Sequence, residues 1–227
     1  MSRRVYDNTR RAEQARLTRR AVLDAARELL VERGPAAVTM RDVAAHAGVS
    51  AETVYKTFRT KAALIKDVYD VTLAGDDEPI PMIDRPEIQA VIAATNPRDK
   101  LARYAAAARQ IGERVGPLLA KLLAAARGGD PELTHFRTTI NSERLVGAGI
   151  MVSHLASTGG LRTDVEPDRA RDIVWTLIAP EVYELLVIDR GWSPHEYEQW
   201  LARALADALA VPFAMDGDRS RNSDGAS

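Results

Sequence analysis

Apolar residues recur at Leu17, Ala21, Val22, Ala25, Ala26, Leu29 and Leu30. That three-and-four spacing gathers them on one helical face, and Gly34-Pro35 is expected to end the helix. Three short helices are predicted next. Thr39 can cap one from Met40 to about Ala47, and Gly48 breaks it because glycine tolerates the positive φ of a tight turn. Ser50 can cap a second, Ala51 to about Phe58. Thr60 can cap a third, Lys61 to about Leu73, whose inward positions are Leu64, Ile65, Val68, Tyr69 and Thr72. The acidic, proline-containing run Gly75 to Pro81 cannot continue a helix. Longer helices are predicted beyond it: Pro86 to Thr95, Pro97 to Gly128-Gly129 with a kink near Gly116-Pro117, and Pro131, capped by Asp130, to about Ser157. Another runs from Pro167 to about Arg190 with a kink at Pro180, and a last one from Pro194 to about Leu209. No alternating stretch is long enough for a strand, and no repeat is present. The fold class is all-α: about four helices in a small N-terminal unit, then five or six in a larger bundle. The polar end, Asp216 to Ser227, is expected to be disordered.

Charge sharpens this division. The net charge of the 227 residues is -1, yet residues 1–66 hold 14 Lys/Arg against 7 Asp/Glu, and residues 67–227 hold 17 against 25. A basic head on an acidic body points the head toward a polyanion. The chain has no cysteine, which removes disulfides, thiolate metal sites and cysteine nucleophiles. The longest apolar run, Leu145 to Val152, is too short to span a membrane. The arginines near the N-terminus precede no apolar stretch, so no secretory signal is expected there and the predicted location is the cytoplasm.

The segment Val38 to Phe58 has the construction of a helix-turn-helix. Ala44 permits close helix approach, Gly48 makes the turn, and Val43, Val49, Val54 and Phe58 can fill the small core. The second helix keeps short or polar outward residues, as a helix laid in the major groove requires. With its surroundings, this segment resembles the TetR family of transcriptional regulators. The matching features are Arg33-Gly34, Val38-Thr39, Val43-Ala44, Ala47-Gly48-Val49-Ser50, Thr53-Val54-Tyr55, Phe58, Thr60-Lys61 and Leu64-Ile65. The resemblance covers roughly residues 16–66; beyond them it is one of layout.

The resemblance implies a basic arm (1–15), a three-helix helix-turn-helix DNA-binding domain (16–66), a helical effector-binding and dimerisation domain (67–212) and a disordered tail (213–227). It implies a homodimer on a palindromic double-stranded operator, acting as a ligand-responsive repressor, although no residue fixes the sign of regulation. Arg41 would reach a base or phosphate, and its fork suits guanine. Thr39 and Ser50 would present helix N-termini to phosphates, and Tyr55 and Lys61 would hold the backbone. Ala51, Glu52, Thr53 and Lys56 sit where bases are read. Thr57 departs from the aromatic residue or histidine many members carry there, and its contact is correspondingly short. Arg3, Arg4, Arg10 and Arg11 would form the arm, with Arg16, Arg19 and Arg20 at the start of the first helix. His46 is expected to face solvent.

In the body, a dimer interface is expected from Ile173, Leu177, Val182, Leu185, Leu186, Trp200, Leu201 and Leu205. An effector cavity is expected among Tyr104, Ala108, Ile111, Leu122, Phe136, Ile140, Met151, His154 and Trp175, with Leu118, Leu145 and Leu155 as further core-or-cavity positions. Walls of that kind imply a mostly apolar effector. No catalytic residue, cofactor or metal ligand is assigned. The four histidines are scattered, and there is no phosphate-binding glycine loop and no paired-histidine helix. The alternative is a helical scaffold or co-regulator that has lost specific DNA reading.

Overall fold

The computed structural model describes residues 2–211, with side chains from residue 10 onward. The predicted tail at 213–227 lies outside the described residues. The elements are α1 (Ser2–Arg33), α2 (Met40–His46), α3 (Ala51–Phe58), α4 (Lys61–Ala74), α5 (Pro86–Ala93), α6 (Pro97–Arg127), α7 (Pro131–Ser157), α8 (Pro167–Leu177), α9 (Pro180–Tyr183) and α10 (Pro194–Leu209). No strand occurs among the described residues; a single antiparallel bridge joins Leu161 to Ala210.

The predicted caps at Thr39, Ser50, Thr60 and Asp130 are in place, and Asn96 and Ser193 cap two further helices. Thr39 and Asp42 form a reciprocal capping box at α2, as do Ser193 and Glu196 at α10. Ser50, Thr60, Asn96 and Asp130 each accept a backbone N–H at the start of their helices. These bonds satisfy first-turn donors that helix geometry leaves without a partner. Gly48 adopts φ 67°, the left-handed turn that joins α2 to α3.

Three expectations change. The first helix begins at Ser2, so the arginines assigned to a separate arm lie on α1 itself, and Arg16, Arg19 and Arg20 sit mid-helix. Leu17 is 54% exposed and Ala21 is exposed, whereas Leu23 is buried: the core-facing stripe starts a turn later and is wider than the spacing suggested. At Pro180 the chain does more than kink. α8 stops at Leu177, α9 restarts at Pro180, and the backbone widens into a π-helical stretch, Glu184–Asp189. Proline cannot donate to the ladder, and the freed turn re-forms with longer i→i+5 spacing. Pro117, by contrast, is accommodated within the single helix α6.

Packing then joins the two units. One continuous buried cluster includes Val22, Leu29, Val43, Val54, Phe58, Leu64 and Val68 of the N-terminal helices together with Leu118, Leu122, Phe136 and Ile140 of α6 and α7. The second cluster lies within the body, where α10 packs along α6 and α7 along α8. Two aromatic edges tie these layers: Tyr69 of α4 meets Phe136 of α7 at 5.4 Å, and Tyr183 meets Tyr197 at 5.1 Å.

Candidate nucleic-acid interface and body cavity

α3 has a buried face and an open one. Val54 and Phe58 are buried against the head core, while Glu52, Tyr55, Lys56 and Thr57 are exposed and Ala51 and Thr53 are half-buried. Tyr55 is 48% exposed, a large aromatic that the head's own core does not use. Arg41 on α2 is also exposed. Neither Arg41 nor Lys56 has an ion-pair partner among the described residues. Arg59 adds a third such cation at the C-cap of α3, at φ 60°, the one positive φ outside glycine among the described residues. Sequence reading passed over Arg59 because nothing in the motif demands a cation at that turn.

Other predicted contacts are partly engaged within the head. Ser50 Oγ accepts from the Thr53 N–H and lies 2.9 Å from Thr53 Oγ1, so these two hydroxyls are partners. Thr57 Oγ1 donates back to the Thr53 carbonyl. Thr39 Oγ1 donates to the Asp42 carboxylate, which holds that carboxyl below its ordinary range. Lys61 is half-buried and its Nζ donates to the Pro35 carbonyl, anchoring α4 to the turn after α1. His46 is exposed, as expected, with Nε2 2.9 Å from Glu28 Oε2.

Three arginines of α1 are engaged within the protein. Arg19 Nη1 lies 3.0 Å from Asp67 Oδ2, with its guanidinium over the Phe58 ring. Arg20 pairs with Asp24 and Asp77, and Arg16 with Asp77 and Glu78. Part of the head's basic excess is thus matched by the acidic segment between α4 and α5, a pairing that linear charge counting cannot see.

That segment also walls a cavity of about 730 Å³ in the body. Of the predicted lining residues, Tyr104, Ala108, Ile111, Met151 and His154 border it. Leu122, Phe136 and Ile140 do not. They are buried in the cluster that joins head to body, because the same helical period that faces a cavity on one turn faces a neighbouring helix on another. Leu118 belongs to that cluster, and Leu155 to the body core. Trp175 also lies off the cavity; its Nε1 donates to the Asn141 carbonyl and its ring stacks under Arg144.

Several cavity residues were missed. Lys66, Tyr69, Asp70, Leu73 and Ala74 come from α4, and Arg144, Tyr183 and Tyr197 from the body. Tyr183 is seated by Gly112 and Gly116: a Cβ at Gly112 would lie 2.6 Å from its ring. The sequence does contain this glycine pair at helical spacing, which is the one signal that could have found the seat. Arg85 runs along the wall with a bidentate bond to Asp76, at 2.6 and 2.9 Å.

The predicted pairing surface divides. Leu201 and Leu205 are fully buried where α10 meets α6, so they belong to the subunit's own core. Leu185 is 57% exposed, with Ile188 at 47% one turn on; Ile173, Leu177, Val182, Leu186 and Trp200 are half-buried. Val146 and Ile150, one turn apart on α7, are further exposed apolar residues that were not anticipated. Among the described residues no helix is long and apolar enough to cross a membrane, and no group of three or more His, Asp or Glu could hold a metal ion.

Comparison with known proteins agrees with this geometry. The family model described as bacterial regulatory proteins, tetR family, matches residues 22–68, the segment from α1 into α4. The uncharacterized HTH-type transcriptional regulator YdeS of Bacillus subtilis is 30% identical over 170 residues, which cover 75% of this chain and 79% of that one. NalD, the secondary repressor of the MexAB-OprM multidrug efflux pump in Pseudomonas aeruginosa, superimposes with a TM-score of 0.64 at 19% identity over 88% of this chain and 100% of that chain. A Saccharomonospora viridis protein solved in complex with choline gives 0.62 at 15% identity, over 85% and 97%. A head whose α3 keeps an exposed face, a body of matching layout and a relative aligned over most of its length make this chain a helix-turn-helix transcriptional regulator of the tetR family, not an enzyme.

Proposed function

We propose that the protein is a ligand-responsive repressor that binds a palindromic operator as a homodimer. Residues 16–66 read DNA, and residues 67–212 bind the effector and pair the subunits. The carrying observation is the double role of α4. Its N-terminus is anchored to the head by Lys61, and its later turns, with Lys66, Tyr69, Asp70, Leu73 and Ala74, form a wall of the cavity. A molecule preferring one tilt of that wall would move the reading helix with it. Silencing requires several kcal/mol of preference between the two states. The choline complex of the Saccharomonospora viridis protein supports a small-molecule site in a body of this fold.

Pairing follows from the size of the head. The eight residues of α3 cover only a few base pairs, and two-fold pairing supplies the second half-site. The exposed Leu185 and Ile188, with the half-buried Ile173, Leu177, Val182, Leu186 and Trp200, are the surface we assign to it. Such a protein works in the cytoplasm, on the nucleoid.

The test is selection of bound duplexes from a random DNA library at two salt concentrations, with sedimentation of the free protein. A palindrome of fixed half-site spacing and a dimeric mass are the expected results. Unselective binding that disappears at higher salt would instead make the head an electrostatic patch on a scaffold.

A further inference from the structure

One cation of the cavity wall stands outside its ion pairs. Lys66 lies 2.6 Å from Asp70 and 3.2 Å from Glu143. Asp76 is held by Arg85, and Asp77 and Glu78 by arginines of α1. Arg144 is the exception: among the described residues no carboxylate lies within ion-pair distance of it.

Its guanidinium is nevertheless firmly placed. Nη1 donates to Asn141 Oδ1 at 3.0 Å, Nη2 donates to the Trp175 carbonyl at 2.6 Å, and the fork lies 5.3 Å from the centre of the Trp175 ring. Nε–H and the second hydrogen on each Nη are left without an acceptor among the described residues. Burial disfavours this cation and pushes its pKa down, while the charge of Glu181 acts the other way. A half-buried cation without an ion-pair partner favours a bound counter-charge.

Neutral phenols share its cavity. Tyr69, Tyr104 and Tyr197 line the same cavity, and none of their hydroxyls has a hydrogen-bond partner among the described residues. Burial raises all three phenols, so they stay protonated, and each feels the Arg144 charge. Phenol O–H groups and a guanidinium fork can all donate toward a shared anion. A cavity of about 730 Å³ has the size of an ordinary small-molecule site.

We propose that the effector is an amphipathic organic anion, its carboxylate or equivalent head bound by Arg144 with Tyr104 and Tyr197, and its hydrocarbon or aromatic body laid along Ile111, Val115 and Leu119. This rests on the reading of the cavity as the effector site. Tyr69 belongs to α4, so an anion recruiting its hydroxyl acts directly on the helix that carries the head.

Calorimetric titration of the full-length protein with decanoate, decanol and decyltrimethylammonium tests the charge preference. Decanoate is expected to bind about tenfold or more tighter than decanol, as hydrogen bonds to a charged group imply, and the ammonium is expected not to bind. Arg144→Gln removes the preference for decanoate over decanol. Tyr104→Phe deletes a hydroxyl that the fold does not use; it weakens decanoate several-fold and leaves the melting temperature unchanged. Equal or tighter binding of decanol or the ammonium, no binding of decanoate, or an intact preference in both variants overturns the anion site. Release of the selected duplex is scored separately. Decanoate that binds without releasing DNA counts against the regulatory reading alone; release by decanol, with no anion preference, counts against the anion site alone.

Discussion

At the residue scale, the proposed reading surface is defined by what the head leaves unpaired. Arg41, Tyr55, Lys56 and Arg59 are exposed, whereas Thr39, Ser50, Thr53 and Lys61 already serve caps and anchors. The hydroxyls can still meet a phosphate, but the first group keeps its full hydrogen-bonding capacity for DNA. Arg41→Ala is expected to cost about 1–3 kcal/mol of specific binding and to relax the preference at one base position, because a bidentate arginine discriminates at the base edge. Tyr55→Phe is expected to weaken binding evenly across sequences, as loss of a backbone contact does. Binding isotherms on the selected duplex and its single-base variants separate the two; a Tyr55→Phe protein with altered base preference would move Tyr55 to the reading set.

At the element scale, α6 is the spine of the body, and its small residues shape the cavity as much as its large ones do. Gly112 and Gly116 give the Tyr183 ring its seat just where α9 widens into the π-helical turn. The ring is 7% exposed and cannot swing aside freely. Gly112→Ala is therefore expected to destabilise the protein by about 1–3 kcal/mol through overpacking. It should also displace Tyr183 from the wall and change decanoate affinity more than DNA affinity. Denaturant unfolding checks the first expectation, and an unchanged midpoint would show that the seat is looser than the contact distances imply.

At the scale of the whole molecule, head and body are not beads on a string. The buried cluster that holds α1 to α4 continues through Leu118, Leu122, Phe136 and Ile140, and the acidic segment after α4 is tied back to Arg16 and Arg20. A disturbance in the body is therefore expected to reach the head. Phe136→Ala, deep in α7, is expected to cost about 3–5 kcal/mol and to lower hydrogen-exchange protection in α1 and α4 as well as in α7. Loss of protection confined to the body would show that the two units respond independently.

Much of this protein was legible in its sequence because the determining signals are local. Caps at Thr39, Ser50, Thr60, Asp130 and Ser193, the turn at Gly48 and the apolar period placed the short helices and most of the long ones. Spacing also marked Val54 and Phe58 as inward and Lys56 and Thr57 as outward, since a helix has only one buried face; the outward Tyr55 came from the family resemblance. What the sequence could not determine is which neighbour a buried face meets. Leu122, Phe136 and Ile140 carry the same pattern as Ile111 and Met151, yet tertiary packing sends the first set into the joint with the head and the second to the cavity. Leu201 and Leu205 look like Leu185 in sequence, but only Leu185 remains at the surface. The pairing of Arg16 and Arg20 with Asp77 and Glu78, and the solitude of Arg144, are likewise decisions of the tertiary structure. Charge interactions are set by distance in space, and residues far apart along the chain acquire that distance only when the helices pack.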